Sequence, residues 1–285
     1  MTEKIAIVVD SGSDVPQTVL KANENVAVVP LNVTMDGQDY QDGVNLTPAA
    51  FYARLSQGGE LPRTASPAPY TAEQAMQGLF DQGYTHIIGI TIASGLSATH
   101  QTFKVAAAQF SADKVTIIDT KNIGIGSGLQ AVYALQLIRE GLSYADVIAR
   151  IEASVPKSRV YFYVPTLSYL QAGGRIGRVA GIVGSALKIR PVISCGPDGI
   201  YYVVSKSRSE AKAMKKITGL IADDFASGAD GKIAVAHGAN PDLMNQISAD
   251  LETATGHPID YKGDISPSLG VHTGPGLIGV AIQIP

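Results

Sequence analysis

Three short hydroxyl-rich segments, each following an apolar run, carry the side chains with the clearest chemical capacity. They are Arg63-Thr64-Ala65-Ser66-Pro67, Ile92-Ala93-Ser94-Gly95-Leu96-Ser97-Ala98-Thr99 and Val271-His272-Thr273-Gly274-Pro275-Gly276. Hydroxyls, exposed loop N–H groups and one imidazole can together hold a carboxylate or phosphate by hydrogen bonds, with neither a metal nor a nucleotide loop. The combination reads as a holder of an anionic head group. Ser94-Gly95-Leu96-Ser97 follows an apolar strand and opens a predicted helix, so its N–H groups fall where anions are favoured. Ser97 suits a plain N-cap equally well. His272 stands among Gly270, Gly274, Pro275 and Gly276, which places it on a tight loop. Thr64 and Ser66 lie in a proline-rigid extended stretch, and Ser66 could merely start the next helix. Asp10-Ser11-Gly12-Ser13-Asp14 reads as an Asx or Ser turn before a helix near Pro16.

These segments need a scaffold, and the apolar pattern supplies one. Strand-like runs at 5–10, 26–33, 86–92 and 115–119 alternate with helical periods at 48–57, 70–82, 97–110, 128–140 and 144–153. Continuous apolarity in the strands fits a largely parallel, doubly wound α/β sheet covered on both faces. Val155-Pro156 marks a seam near residue 150, because the residue before proline is pushed out of helical conformation. Beyond it, Gly196-Pro197-Asp198-Gly199 joins two apolar runs as a hairpin, so antiparallel pairing enters. The expected architecture is α/β throughout: a doubly wound domain over 1–150 and a second, smaller two-layer α/β sandwich over 151–285.

The chain has 285 residues, of which 45% are hydrophobic and 16% charged, with net charge −3. That length favours two domains. The charge gives no footprint for nucleic acid or anionic lipid, and the first apolar run is too short for a signal or membrane segment. A cytoplasmic protein without an integral membrane segment is expected. Cys195 is the sole cysteine and reads as a small buried thiol.

Rival motifs are weaker. Gly95-Leu96-Ser97-Ala98-Thr99 lacks the second glycine of a nucleophile elbow, which leaves a serine hydrolase or acyltransferase using Ser97 or Ser94 with His272 as the alternative reading. Gly126-Ser127-Gly128-Leu129-Gln130-Ala131 matches a dinucleotide fingerprint on its surface, but the next strand carries no acid for a ribose. The five histidines show no metal-ligand spacing, and no cofactor or metal is expected.

Six segments in order carry a resemblance: Asp10-Ser11-Gly12-Ser13-Asp14, Tyr40-Gln41-Asp42-Gly43, Thr64-Ala65-Ser66-Pro67, residues 92–101, Leu170-Gln171-Ala172-Gly173-Gly174-Arg175-Ile176-Gly177 and His272-Thr273-Gly274-Pro275-Gly276. Across essentially its whole length the chain resembles the DegV family of bacterial fatty-acid-binding proteins. The resemblance implies one long-chain fatty acid, of the palmitate, stearate or oleate class, bound between two domains. It implies a binding subunit that is not itself an enzyme, with a separate ATP-dependent fatty acid kinase as partner. The protein would then carry acid and acyl phosphate toward phospholipid synthesis. Carried over residue by residue, the carboxylate ligands would be Thr64, Ser94 with the Gly95 amide, and His272. Arg175 would correspond to a basic residue associated with the kinase reaction, and Ser66, Ser97 and Thr273 to secondary head-group or kinase-facing positions. Ala93 stands where members often have another serine, and Ala65-Ser66 replaces the commoner Ser-Gln. Phe51, Phe80, Phe103, Phe162, Leu167 and Ile182 are the candidates to line a tail pocket.

Overall fold

Residues 3–182, 189–226 and 231–285 are described by the computed structural model. Strand β1 (Ile5–Asp10) is buried along its whole length and pairs in parallel with β2 (Val26–Val29) and with the strand His86–Thr91. The pleat explains why every residue of β1 is apolar up to Asp10: Ile5, Ile7 and Val9 pack into one core cluster, Ala6 and Val8 into another. The first sheet is therefore covered on both faces, as the doubly wound expectation requires.

The expected strand at 26–33 is in fact two. Pro30 cannot donate to a ladder, so the chain leaves the first sheet after Val29 and re-enters a small antiparallel sheet as β3 (Asn32–Met35). There β3 pairs with β4 (Gln38–Gln41) and β5 (Arg63–Ala65). Asp36 (φ 54°) and Gly37 (φ 72°) make the hairpin turn, an Asp-Gly signal that the sequence carried. Helix α1 (Gln17–Ala22) joins β1 to β2 and α2 (Pro48–Leu55) joins β4 to β5; after β5 come α3 (Pro69–Asp81), β6 (His86–Thr91), α4 (Thr99–Ala107) and β7 (Val115–Asp119), which completes the parallel order β2-β1-β6-β7.

Helix α5 (Ile125–Arg139) is the shared layer. Ala131, Ala134 and Leu135 pack beneath the first sheet, while Leu129 and Val132 pack with Val160, Phe162 and Ala281 of the second. The resemblance of 126–131 to a dinucleotide loop has a packing cause instead. A Cβ at Gly126 would stand 2.5 Å from Asn122 Oδ1, and one at Gly128 would stand 2.5 Å from the Ser13 carbonyl oxygen. Only glycine lets α5 approach so closely.

After α6 (Tyr144–Ser154) come β8 (Arg159–Tyr163), α7 (Ser168–Ala172), a 3₁₀ turn at Gly177–Ile182, and the hairpin β9 (Arg190–Cys195) and β10 (Tyr201–Ser207). The glycine-rich stretch at 173–184 runs past the described residues at 183, and the side chain of Ile182 lies outside them too. Helices α8 (Glu210–Ala226) and α9 (Pro241–Thr255) cover one face of a six-stranded mixed sheet, order β10-β9-β8-β13-β11-β12. Its remaining strands are β11 (Lys232–His237), β12 (Tyr261–Asp264) and β13 (Ile278–Gln283). The other face meets α5.

Two local expectations are corrected. Helix α4 begins at Thr99, not at Ser97: its N-cap is Ala98, and Ser97 Oγ instead accepts from the Thr99 N–H at 3.2 Å. His272 is not on a loop, because Pro267–Thr273 forms a short helix, α10, with Pro267 fixing its first turn.

Candidate functional site

Between the two larger sheets lies a cavity with apolar walls from both halves of the chain: Leu31, Ile92, Ile123 and Ile125 on one side, Val160, Phe162, Leu269 and Leu277 on the other. It holds about 710 Å³ of space between atoms, part of it open to solvent. Among the tail candidates, Phe162 lines it. Phe51, Phe80 and Phe103 belong to other core clusters, and Leu167 packs against the cluster around the cavity.

The polar lining consists of Thr64, Ser97, Arg175, Ser268, His272 and Thr273. Thr64 is held in β5 by pairing with Val33, and His272 is delivered by the last turn of α10. Across 208 positions of sequence, Thr64 Oγ1 and His272 Nε2 meet at 2.8 Å. His272 Nδ1 is buried without a partner. A Cβ at Gly173 would lie 2.1 Å from it, so the glycine of the Leu170–Gly177 motif makes room for the ring. Burial, and then the nearby Arg175 guanidinium, push the imidazole down to about 4, so it is neutral near pH 7.

A chain of hydroxyls borders this pair. Ser66 Oγ and Ser97 Oγ are 3.2 Å apart, and Ser97 Oγ lies 2.8 Å from Thr99 Oγ1. Arg175 donates from Nη1 to the Gly173 carbonyl at 2.8 Å. Thr273, although in the lining, spends its hydroxyl on the Leu269 carbonyl at 3.0 Å.

Ser94 and Gly95 are not brought into the lining. The Ser94 N–H donates to Asp119 Oδ1 at 3.2 Å, and Lys121 Nζ donates to Ser94 Oγ at 3.3 Å and to Asp119 Oδ2 at 2.6 Å. This ion-pair corner draws Ser94 to the outside. Gly95 serves a contact between halves: a Cβ there would stand 2.8 Å from the Asp198 carbonyl oxygen in the β9–β10 turn. Sequence reasoning missed the wall residues Tyr201 and Ser268, which no local motif marks. Among the described residues no carboxylate contacts His272 Nδ1, so the imidazole lacks the orienting acid of a hydrolytic triad. No cluster of three or more His, Cys, Asp or Glu side chains among them could hold a metal ion.

A family model described as "Uncharacterised protein, DegV family" matches residues 4–284. The chain belongs to the DegV family. A DegV domain-containing protein of Clostridium acetobutylicum is 34% identical over 281 residues, covering 98% of this chain and 99% of that one. Two solved structures share the fold at 99% coverage of this chain. One, from Thermus thermophilus, is described as showing fatty acid binding of a DegV family protein; it is 28% identical, fully covered, with a TM-score of 0.90. The other, DegV from Bacillus subtilis, is described as a fatty acid binding protein; it is 26% identical, fully covered, with a TM-score of 0.89. The family resemblance and the α/β architecture expected from the sequence are both borne out.

Proposed function

We propose that this DegV family protein binds one long-chain fatty acid, with the acyl tail in the cavity between the sheets and the carboxylate at the Thr64–His272 pair. The observation that carries the reading is an apolar cavity whose lining includes two hydrogen-bonded polar side chains contributed by opposite halves of the chain. The fatty-acid binding described for the Thermus and Bacillus relatives supports it.

The energetics divide between tail and head. Each buried methylene contributes roughly 0.8 kcal/mol, so about fifteen of them give on the order of 12 kcal/mol gross, enough to offset the cost of association. A desolvated carboxylate is costly unless hydrogen-bonded. With the Nε2–H tautomer, His272 donates to Thr64 Oγ1 and the threonine O–H is free to donate to the anion. Ser97 and the Arg175 guanidinium add donors at the same end. Ser94 and Gly95, despite the family carry-over, are left flanking the site.

In the same reading the protein is a carrier and not an enzyme. It presents the carboxylate to a separate ATP-dependent fatty acid kinase, with Arg175 at the mouth facing the incoming phosphoryl group, and then carries the acyl phosphate. No helix among the described residues is long and apolar enough to cross a membrane, and the carrier would work in the cytoplasm.

Isothermal titration with stearate and with octadecanol tests the binding. Saturable one-to-one uptake of stearate, weaker for the alcohol, is expected. Absence of stearate binding would remove the proposal, and steady hydrolysis of a p-nitrophenyl ester that a Ser97→Ala change abolishes would favour the hydrolase.

A further inference from the structure

The Asp10–Asp14 segment, set aside above as a turn, reaches four parts of the site. Asp10 Oδ2 accepts from the Ile92 N–H at 2.9 Å, and the Gly12 carbonyl accepts from the Gly124 N–H at 3.0 Å. Ser11 Oγ accepts from the Leu31 N–H at 3.0 Å and donates to Asp42 Oδ2 at 2.9 Å. Ile92, Gly124 and Leu31 are all cavity-wall residues. The fourth contact is different in kind. Asp14 Oδ1 accepts from the N–H of Ser266, the N-cap of α10, at 3.2 Å.

Helix α10 is a rigid connection from that bond to the head-group end. Gly270 N–H bonds to the Ser266 carbonyl at 2.9 Å, and Gly274 N–H bonds to the Gly270 carbonyl at 2.8 Å, so hydrogen bonding is continuous past His272. Its middle is pressed on α2, where a Cβ at Gly270 would lie 2.5 Å from Phe51 Cε1. A seven-residue helix cannot persist on its own propensity, so its position is set by such tertiary anchors. Asp42 also hydrogen-bonds Ser268 in the first turn of α10, and the Asp14 bond is the one that satisfies the N–H of the N-cap at the helix start.

We infer that Asp14 is a positioning residue for the head-group site: its carboxyl group fixes the N-cap of α10 to the turn that follows β1, and thereby sets where His272 meets Thr64. The functional meaning rests on the fatty-acid reading, but the geometry can be tested without any ligand.

The experiment is an NMR titration of the His272 ring in the delipidated full chain, followed by stearate titrations, for the wild type, Asp14→Ala, Asp14→Asn, Ser266→Pro and Ser266→Ala. In the wild type His272 should titrate well below the ordinary 6.5, at about 4. In Asp14→Ala the ring is released toward solvent and its midpoint rises toward 6.5. Asp14→Asn keeps an acceptor oxygen and stays with the wild type. Stearate affinity falls about tenfold in the alanine variant and is largely restored in the asparagine one. Ser266 has φ −59°, which proline adopts, so Ser266→Pro deletes the donor N–H at a compatible φ, while Ser266→Ala retains it. The proline variant should copy Asp14→Ala, and Ser266→Ala, which keeps the N–H but loses its own hydroxyl bond to the Asp14 carboxyl, should fall between that variant and the wild type. This donor-side pair decides the matter if Asp14→Ala does not fold. A His272 midpoint unmoved in both Asp14→Ala and Ser266→Pro, or an asparagine variant as displaced as the alanine one, would overturn the inference. A shifted midpoint together with wild-type protein that ignores stearate would refute the fatty-acid reading and leave the positioning role standing.

Discussion

Replacing Thr64 by valine keeps the branched shape and removes the hydroxyl that meets His272 Nε2 at 2.8 Å. Two consequences follow. Without ligand, the imidazole loses its one hydrogen bond to a side chain, leaving Nε2 as bare as Nδ1 already is, a cost of about 1 kcal/mol. With ligand, the carboxylate loses a donor, and hydrogen bonds to charged groups are worth about 1.5–3 kcal/mol, which converts to about a ten- to hundredfold rise in Kd. Calorimetric titration of Thr64→Val with stearate at neutral pH should show that loss. Octadecanol keeps the tail and has no charge, so its affinity should change by less than about threefold. Wild-type affinity for stearate in the valine variant, or an equal loss for acid and alcohol, would refute the assignment of Thr64 to the head group.

Other perturbations test other parts. Asp10 is buried, and its carboxyl is raised by desolvation from 3.8 to about 7. A raised carboxyl contributes stability that is complete below about 3.8 and is lost as pH rises through 7, here on the order of 4 kcal/mol. Asp10→Asn should therefore be more stable than the wild type at pH 8 and lose that advantage at pH 4.5 in urea unfolding; equal curves at both pH values would contradict this. His272 has the opposite sign: its depressed value gives stability present above 6.5 and lost as pH falls toward 4, so His272→Gln should flatten the acid limb of the same profile. A Cβ at Gly279 would meet nothing closer than 3.8 Å, so Gly279→Leu should fold, occupy the cavity and abolish stearate binding while leaving Tm within a few degrees. Gly128→Ala has no such room beside the Ser13 carbonyl and should cost about 3 kcal/mol in denaturant unfolding.

Much of the frame was legible because burial on both faces writes itself as unbroken apolar runs. β1 and β7 appear where those runs fall, and α6 starts where the helical period at 144–153 does. Pro30 was the local mark that 26–33 could not be one strand, and Asp36-Gly37 was the mark of the hairpin that follows. Helix α10 left no periodic signal. It is seven residues long and owes its place to tertiary partners, among them Asp14 and α2, each more than 200 positions away in sequence. For the site, the residue types at 64 and 272 were readable, whereas their meeting is a product of sheet register and helix placement. Ser94 and Gly95 looked equally apt on residue type. What the sequence did not reveal was that Asp119 and Lys121 hold Ser94 outward and that the β9–β10 turn needs Gly95 bare.

Native mass spectrometry of the purified full chain, before and after addition of equimolar stearate, addresses the central claim most directly. The account predicts one acyl ligand per chain, lost on denaturation and identified as a long-chain carboxylic acid in the released fraction. A bare chain in both samples would contradict it.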